Sequence, residues 1–385
     1  MAVSTQMNKS RMVWLDCLRL VAGVSMVGLH ASSDINGQPF PDFDVTERIG
    51  PVLFRAVVYT ARTELFLIIS LFLLTMSLDG RKRSYGATIK EQARRLLLPF
   101  AFWVVFFAFY RLVKAGHFGY EDAIWQQLSD PMQWMRYFVL GSVQYHMHFL
   151  PTLFGLVLMY PLYRIAVDNP MFSLVVLLCL FTKREVDIWI WSNLRDVVGF
   201  EYLVRGVKLL TYAGYGIVAA GFYGLIKRGL SHKELRGLFF VSLYLGVMMF
   251  MIKLVYSHKV ILSGSLQYNY NPAYWADFLM PILLFAIFLG AKNANWPPII
   301  STWAPYSFGI YLVHPIFLDG LELALWQMEL SPSLYVALKT TGGIAGATVF
   351  VIILSRIKIL AWTVGMGSFP RLMRIENRPF GQIKE

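Results

Sequence analysis

The chain has 385 residues, of which 57% are hydrophobic, 16% aromatic and only 15% charged, and its mean hydropathy is +0.53. Soluble domains carry about a quarter charged residues, so the composition excludes an ordinary soluble enzyme and fits a polytopic membrane protein. A net charge of +12 would suit nucleic acid, but the basic residues lie between apolar segments, where they set topology and meet anionic lipid.

Ten apolar segments are expected to span a bilayer: 13–31, 52–77, 96–113, 147–166, 171–190, 205–226, 237–255, 273–291, 303–320 and 333–356. Each is close to the roughly 20 residues a helix needs to cross. Backbone polar groups in lipid must be satisfied within the segment, so the expected fold is all-α, a polytopic transmembrane helix bundle. Residues 1–356 read as one transmembrane domain and 357–385 as a basic cytoplasmic tail. No internal repeat is visible. The two cysteines, Cys17 and Cys179, sit inside apolar segments and form neither a disulfide framework nor a metal site.

The first segment contains LDCLRLVAGVSMVGLH, residues 15–30, with Asp16, Arg19 and His30 in an otherwise apolar run. Arg19 and His30 are eleven residues apart, close to three helical turns, so they share a face about 16 Å apart along the axis. Asp16, three residues before Arg19, can pair with it. Ionisable residues inside a span are costly and usually face the protein interior, which makes these functional candidates. The second segment carries Arg62 and Glu64, with Glu64 expected at the depth of Arg19 and able to pair with Arg19 or with Arg62.

The connection 80–100, GRKRSYGATIKEQARRLLLPF, is strongly basic. It serves topology, and Arg94 and Arg95 could also cradle phosphates. With the N-terminus placed in the cytoplasm, nineteen Lys and Arg fall in inner segments against seven in outer ones, a positive-inside pattern that also puts the C-terminus inside. The outer seven include Lys114, Lys183, Arg184 and Lys259. Outer loops at 32–51, 114–146 and 256–272 are rich in aromatics, as in SLQYNYNPAYW (265–275). These suit an interfacial belt or a stacking surface for sugar rings.

Histidines gather at the outer level. His30 closes the first segment, His146 and His148 open the fourth, and His314 lies in the outer half of the ninth. A neutral histidine can take a proton from a hydroxyl near neutral pH. Nothing in their spacing supports a metal site.

These residues resemble the acyltransferase 3 family of integral membrane acyltransferases. Arg19 and His30 match its first-span mark of Arg, ten residues, then His. TELFLIISLFLL (63–74) is similar to its second-span pattern, with Ser70-Leu71 where Ser-Gly is usual. HMHFLPTLFGLVLMYPLY (146–163) resembles its His-x-Trp-Phe-Leu element, with His148 in place of Trp. YSFGIYLVHPIF (306–317) is similar to a late-span pattern containing His314. An Arg-x-x-Arg pair is usual after the second span, but here Leu98 follows Arg95 at that spacing. The first, fourth and ninth spans also resemble the glucan biosynthesis protein C branch.

The resemblance implies an acyltransferase of a bacterial inner membrane. It would move an acetyl or succinyl group from cytosolic acyl-CoA to hydroxyls of an extracytoplasmic glycan, with no permanently bound cofactor. It implies a catalytic set of His30, Arg19 and Glu64. Arg94, Arg95 and Arg62 would hold the donor, and His146, His148, His314 and Asp34 would contact the acceptor. Acyl-CoA, the glycan and membrane lipid are the implied partners, with oligomeric state open. A proton-coupled transporter or flippase would also use buried Arg, Glu and His, although its inverted repeats are not visible.

Overall fold

The computed structural model describes residues 11–80, 83–266 and 273–369. Lys9, Arg81, Lys82, QYNYNP (267–272) in the 256–272 loop, and Arg371, Arg374, Arg378 and Lys384 of the tail lie outside the described residues. Among the described residues all regular structure is helical. The helices are α1 (Val13–Ala31), α2 (Val45–Val58), α3 (Thr63–Leu78), α4 (Tyr85–Phe118), α5 (Glu121–Ser129), α6 (Pro131–Leu140), α7 (Phe149–Leu158), α8 (Tyr160–Asp168), α9 (Val175–Asn193), α10 (Phe200–Arg228), α11 (His232–Ser263), α12 (Ala273–Gly290), α13 (Ile300–Trp303), α14 (Ser307–Leu325) and α15 (Pro332–Arg356).

Eight stretches are long and apolar enough to cross a membrane. They are α1, the α2–α3 pair, α4, α10, α11, α12, the α13–α14 pair and α15. A ninth is α7 with α8, bent by 66°. The count falls short of the ten expected because of α9, where Lys183, Arg184, Glu185 and Asp187 lower the hydropathy. Lys183 and Asp187 pair within the helix and are buried. Yet α9 packs beside α10 over much of its length, with Val176 and Cys179 against Gly214 and Trp191 against Phe200. So α9 is a charged helix packed on α10, with Lys183 and Asp187 on its buried face, and Lys183 and Arg184, counted at the outer end of the fifth expected segment, are helical. Lys114 in α4 and Lys259 in α11 are also helical. The 114–146 connection is not loop throughout, since it holds α5 and α6.

α1 occupies the centre and touches α2, α3, α12, α13, α14 and α15. That position explains why its polar residues can be retained, because they meet protein rather than lipid. α11 lies at the margin. Phe240, Tyr244, Met248, Met251 and Val255 recur at helical spacing and are exposed, which suits a face toward lipid. Its start is closed by a capping box, in which the Ser231 Oγ accepts from Glu234 N at 3.3 Å and Glu234 Oε2 accepts from Ser231 N at 2.9 Å. α4 has 34 residues, about 51 Å at 1.5 Å per residue, and so outruns a hydrocarbon core of roughly 30 Å.

Helices in lipid associate through close packing, favoured by small residues. α10 shows this with Gly214, Gly216, Ala219, Ala220, Gly221 and Gly224, all buried. A Cβ on Gly216 would come within 2.6 Å of ring carbons of Tyr163, which is itself buried and donates to the Leu156 carbonyl at 2.9 Å. Gly216→Ala is therefore expected to destabilise the α8–α10 contact by about 1–3 kcal/mol. A lowered melting midpoint of the purified variant in detergent would show it, and an unchanged midpoint would contradict this packing.

Two ends of the bundle can now be distinguished. At the Arg19 end, Asp79 closes α3 and accepts from Tyr223 at 2.7 Å and from Lys227 at 3.1 Å, both on α10. The Tyr223 hydrogen bond, then that of Lys227, holds the Asp79 carboxyl below its ordinary range. At the His30 end, Lys339 of α15 is buried, donating to Glu322 at 2.7 Å and to the Ser33 carbonyl at 3.1 Å. Lys114 joins the same group, 2.5 Å from Glu322 and 3.4 Å from Asp319.

Candidate active site

His30 stands in the last turn of α1. The end of that helix is fixed by Arg55 of α2, whose guanidinium donates to the Leu29 carbonyl and to Ser32 Oγ, each at 3.2 Å. A cation there also complements the negative end of the helix dipole. The His30 ring stacks on His314 with centroids 5.4 Å apart and planes 20° apart, and it lies 4.2 Å from the Tyr145 ring. His146 meets His314 edge-on at 5.1 Å. Three of the four expected histidines thus form one cluster, drawn from α1, the entry to α7, and α14.

The hydrogen bonds of this cluster fix proton positions. His314 Nδ1 lies 2.7 Å from the Tyr311 carbonyl. A carbonyl only accepts, so Nδ1 carries the proton in the neutral ring and Nε2 keeps a lone pair. That Nε2 is buried without a hydrogen-bond partner. His146 has the opposite tautomer, with Nε2 donating to the Leu312 carbonyl at 3.1 Å and Nδ1 left buried without a partner. The His146 carbonyl in turn accepts from the Tyr311 hydroxyl. Buried polar atoms without partners are uncommon. Here two acceptor nitrogens, beside the less buried His30, can receive hydroxyl protons.

Arg19 occupies the other end of α1, on the same helical face. Its guanidinium is 3.5 Å from Asp16 and keeps 27% of its side-chain surface exposed. Asp16 is held more closely by others, accepting from Arg11 Nε at 2.7 Å and from Ser301 Oγ at 2.7 Å, which ties the start of α1 to α13. Arg95, exposed on α4, lies within electrostatic range of Arg19, as does Arg11. Arg11 and Arg19 therefore share one carboxylate with Arg95 near Arg19, and Arg94 is exposed beside Arg95. Arg11 was not singled out in the sequence, although it precedes Asp16 by five residues.

Glu64 is not a partner of Arg19. Its carboxylate lies 2.6 Å from Arg62 Nε and accepts from the Tyr212 hydroxyl at 2.5 Å, and the residue is 1% exposed. Arg62 is sandwiched between Tyr59 and Phe278, 4.7 and 4.5 Å from the two ring centroids. Of the two partners the sequence offered Glu64, Arg19 and Arg62, the structure pairs it with Arg62. A 3-10 turn at Tyr59–Ala61 separates α2 from α3, so Glu64 opens α3. Arg62 is therefore engaged within the bundle, away from the exposed arginines at the Arg19 end.

Asp34 lies in the turn after α1, where its Oδ1 accepts from the Gln38 and Asn36 amides at 2.7 and 2.9 Å. Partial burial pushes its carboxyl up, opposed by those two hydrogen bonds. Its visible role is to shape this turn. His148 precedes α7 with Nδ1 2.8 Å from the Tyr145 carbonyl, and is in electrostatic range of His30. Tyr145, Tyr311, Lys208 and Tyr212 were missed in the sequence. A signal was present on α10, since Glu201, Arg205, Lys208 and Tyr212 recur at steps of four, three and four, which puts polar groups on one helical face. No group of three or more His, Cys, Asp or Glu suited to a metal ion occurs among the described residues.

A family model described as an acyltransferase domain matches residues 12–356. No curated protein matches the chain, and no solved structure does. The matched region takes in both ends of α1 and every helix of the histidine cluster, so the chain belongs to the acyltransferase 3 family and is a membrane acyltransferase.

Proposed function

We propose that the protein transfers an acyl group from cytosolic acyl-CoA to a hydroxyl of an extracytoplasmic glycan, across a bacterial inner membrane. The observation that carries this reading is the arrangement on α1, with a loosely held Arg19 at one end and His30 in a histidine cluster at the other. The Arg19 end would face the cytosol. There Arg94, Arg95, Arg11 and Arg19 offer cations to the CoA phosphates, and the thioester arm extends along α1 toward His30.

His30 then removes the proton of the acceptor hydroxyl, and that oxygen attacks the thioester carbonyl. The tetrahedral oxyanion collapses, the acyl–oxygen bond remains, and CoA leaves as a thiolate that recovers the proton. His314 Nε2 and His146 Nδ1, left as acceptors by tautomers set by backbone carbonyls, receive hydrogen bonds from neighbouring hydroxyls of the acceptor and so orient it. Acetyl and succinyl groups, and a periplasmic glucan or surface polysaccharide as acceptor, are the specific pair this reading favours.

Purified protein supplied with acetyl-CoA or succinyl-CoA and candidate glycans should release CoA thiol and increase the glycan mass by one acyl group. Movement of unmodified glycan across proteoliposomes with no thiol release would replace this reading with transport.

A further inference from the structure

At the His30 end, α6, α9 and α10 wall a cavity of about 430 Å³. That volume is within the range of small-molecule sites, ~300–1,000 Å³. Its lining carries Arg136, Arg205 and Lys208, against one carboxylate, Glu201. Glu201 is already 3.5 Å from Arg136. Arg205 is anchored by donating to the Leu140 carbonyl at 3.0 Å and faces Thr152 at 3.5 Å.

Lys208, half-buried, differs from the other lysines that point into the bundle. Lys114, Lys183, Lys253 and Lys339 each have a carboxylate partner. The Lys208 ammonium has no hydrogen bond or ion pair among the described residues and lies 5.1 Å from the centroid of the Tyr212 ring. Glu64 lies nearby and attracts it, but that carboxylate is paired with Arg62 at 2.6 Å and accepts from Tyr212, and it makes no ion pair with Lys208 among the described residues. A bundle that neutralises its other inward lysines has left this one directed at a cavity.

Two further features indicate what enters. Trp191 and Phe200 meet edge-on at 5.1 Å on the cavity wall and offer aromatic surface to a sugar ring. His148 also lines the cavity and is in electrostatic range of both Lys208 and His30, so the cavity adjoins the histidine cluster.

We propose that this cavity is an anion subsite for the acceptor, in which Lys208 and Arg205 bind a phosphate or carboxylate carried by a sugar while Trp191 and Phe200 cover its ring. The subsite would accept acidic saccharides over neutral ones and direct a hydroxyl toward His30. It rests on the acyl-transfer reading for its purpose, but not for its binding chemistry.

The test uses the whole purified protein and three probes: glucose 6-phosphate, glucuronate and glucose. Binding is measured by calorimetry in detergent. The two anions should bind and glucose should not, and the preferred anion identifies phosphate or carboxylate as the group read. Lys208→Gln should weaken the anions about tenfold, the scale of one charge-assisted contact, while Lys208→Arg retains them. The unliganded melting midpoint of Lys208→Gln shows whether that variant is folded, and His30→Ala should bind normally. Equal binding of glucose, or anion binding unchanged in folded Lys208→Gln, would overturn the subsite. Anion binding lost with Lys208 but no thiol release from any acyl-CoA would support the subsite and remove the transfer reading instead.

Discussion

His30→Ala should reduce acyl transfer by about 10²–10⁴-fold, the usual contribution of a positioned general base, while the protein remains folded in the membrane. The geometry separates these two effects. His30 makes ring contacts with His314 and Tyr145 but no hydrogen bond among the described residues, so its removal leaves no buried donor or acceptor newly unpaired. The end of α1 is secured independently by Arg55. Loss of activity in this variant would therefore report chemistry rather than unfolding. His314 and His146 are poorer controls, because each ring is bonded to a backbone carbonyl and its loss frees that buried acceptor. The measurement is CoA thiol release per milligram of membrane-extracted protein, together with the melting midpoint. Full activity in His30→Ala would transfer the role of base to the unpartnered Nε2 of His314.

The bundle itself was legible because lipid allows so few solutions. Apolar runs of about 20 residues must be helices, and nearly every expected segment contains one. The Arg19–His30 register was also legible, since it follows from helical rise alone along an unbroken α1. Less visible were features that depend on breaks and on neighbours. Hydropathy cannot show the 3-10 turn at Tyr59–Ala61 that separates α2 from α3, nor the 66° bend between α7 and α8. The charges of α9 interrupt the fifth expected segment because a sequence does not reveal that Lys183 and Asp187 neutralise each other on the buried face of the helix. Tyr145 and Tyr311 acquire meaning only through their contacts with histidines from other helices. Asp34 shows the converse. The resemblance implies that it contacts the acceptor, and in the structure local amides occupy one of its oxygens.

Glu64→Gln should lower the melting midpoint substantially, and this is the largest stability effect expected in the molecule. The substitution preserves shape but leaves the Arg62 guanidinium without its counter-charge in a site that is 1% exposed on the Glu64 side. Breaking a buried ion pair from one side costs about 3–5 kcal/mol, because the remaining charge is still desolvated. Tyr212→Phe should have a smaller effect, about 1.5–3 kcal/mol, since it removes one hydrogen bond to a charged group. Replacing both charges, as Arg62→Met with Glu64→Leu, should recover part of the loss, because apolar groups of similar volume avoid desolvation altogether. Activity normalised to folded protein supplies the decisive comparison. If Glu64 acts by holding α3 to α10, that activity persists in Glu64→Gln and in the double variant. If the melting midpoint stays unchanged while acyl transfer disappears, Glu64 belongs to the chemistry, and the Arg62–Glu64–Tyr212 group must open during turnover to reach the thioester.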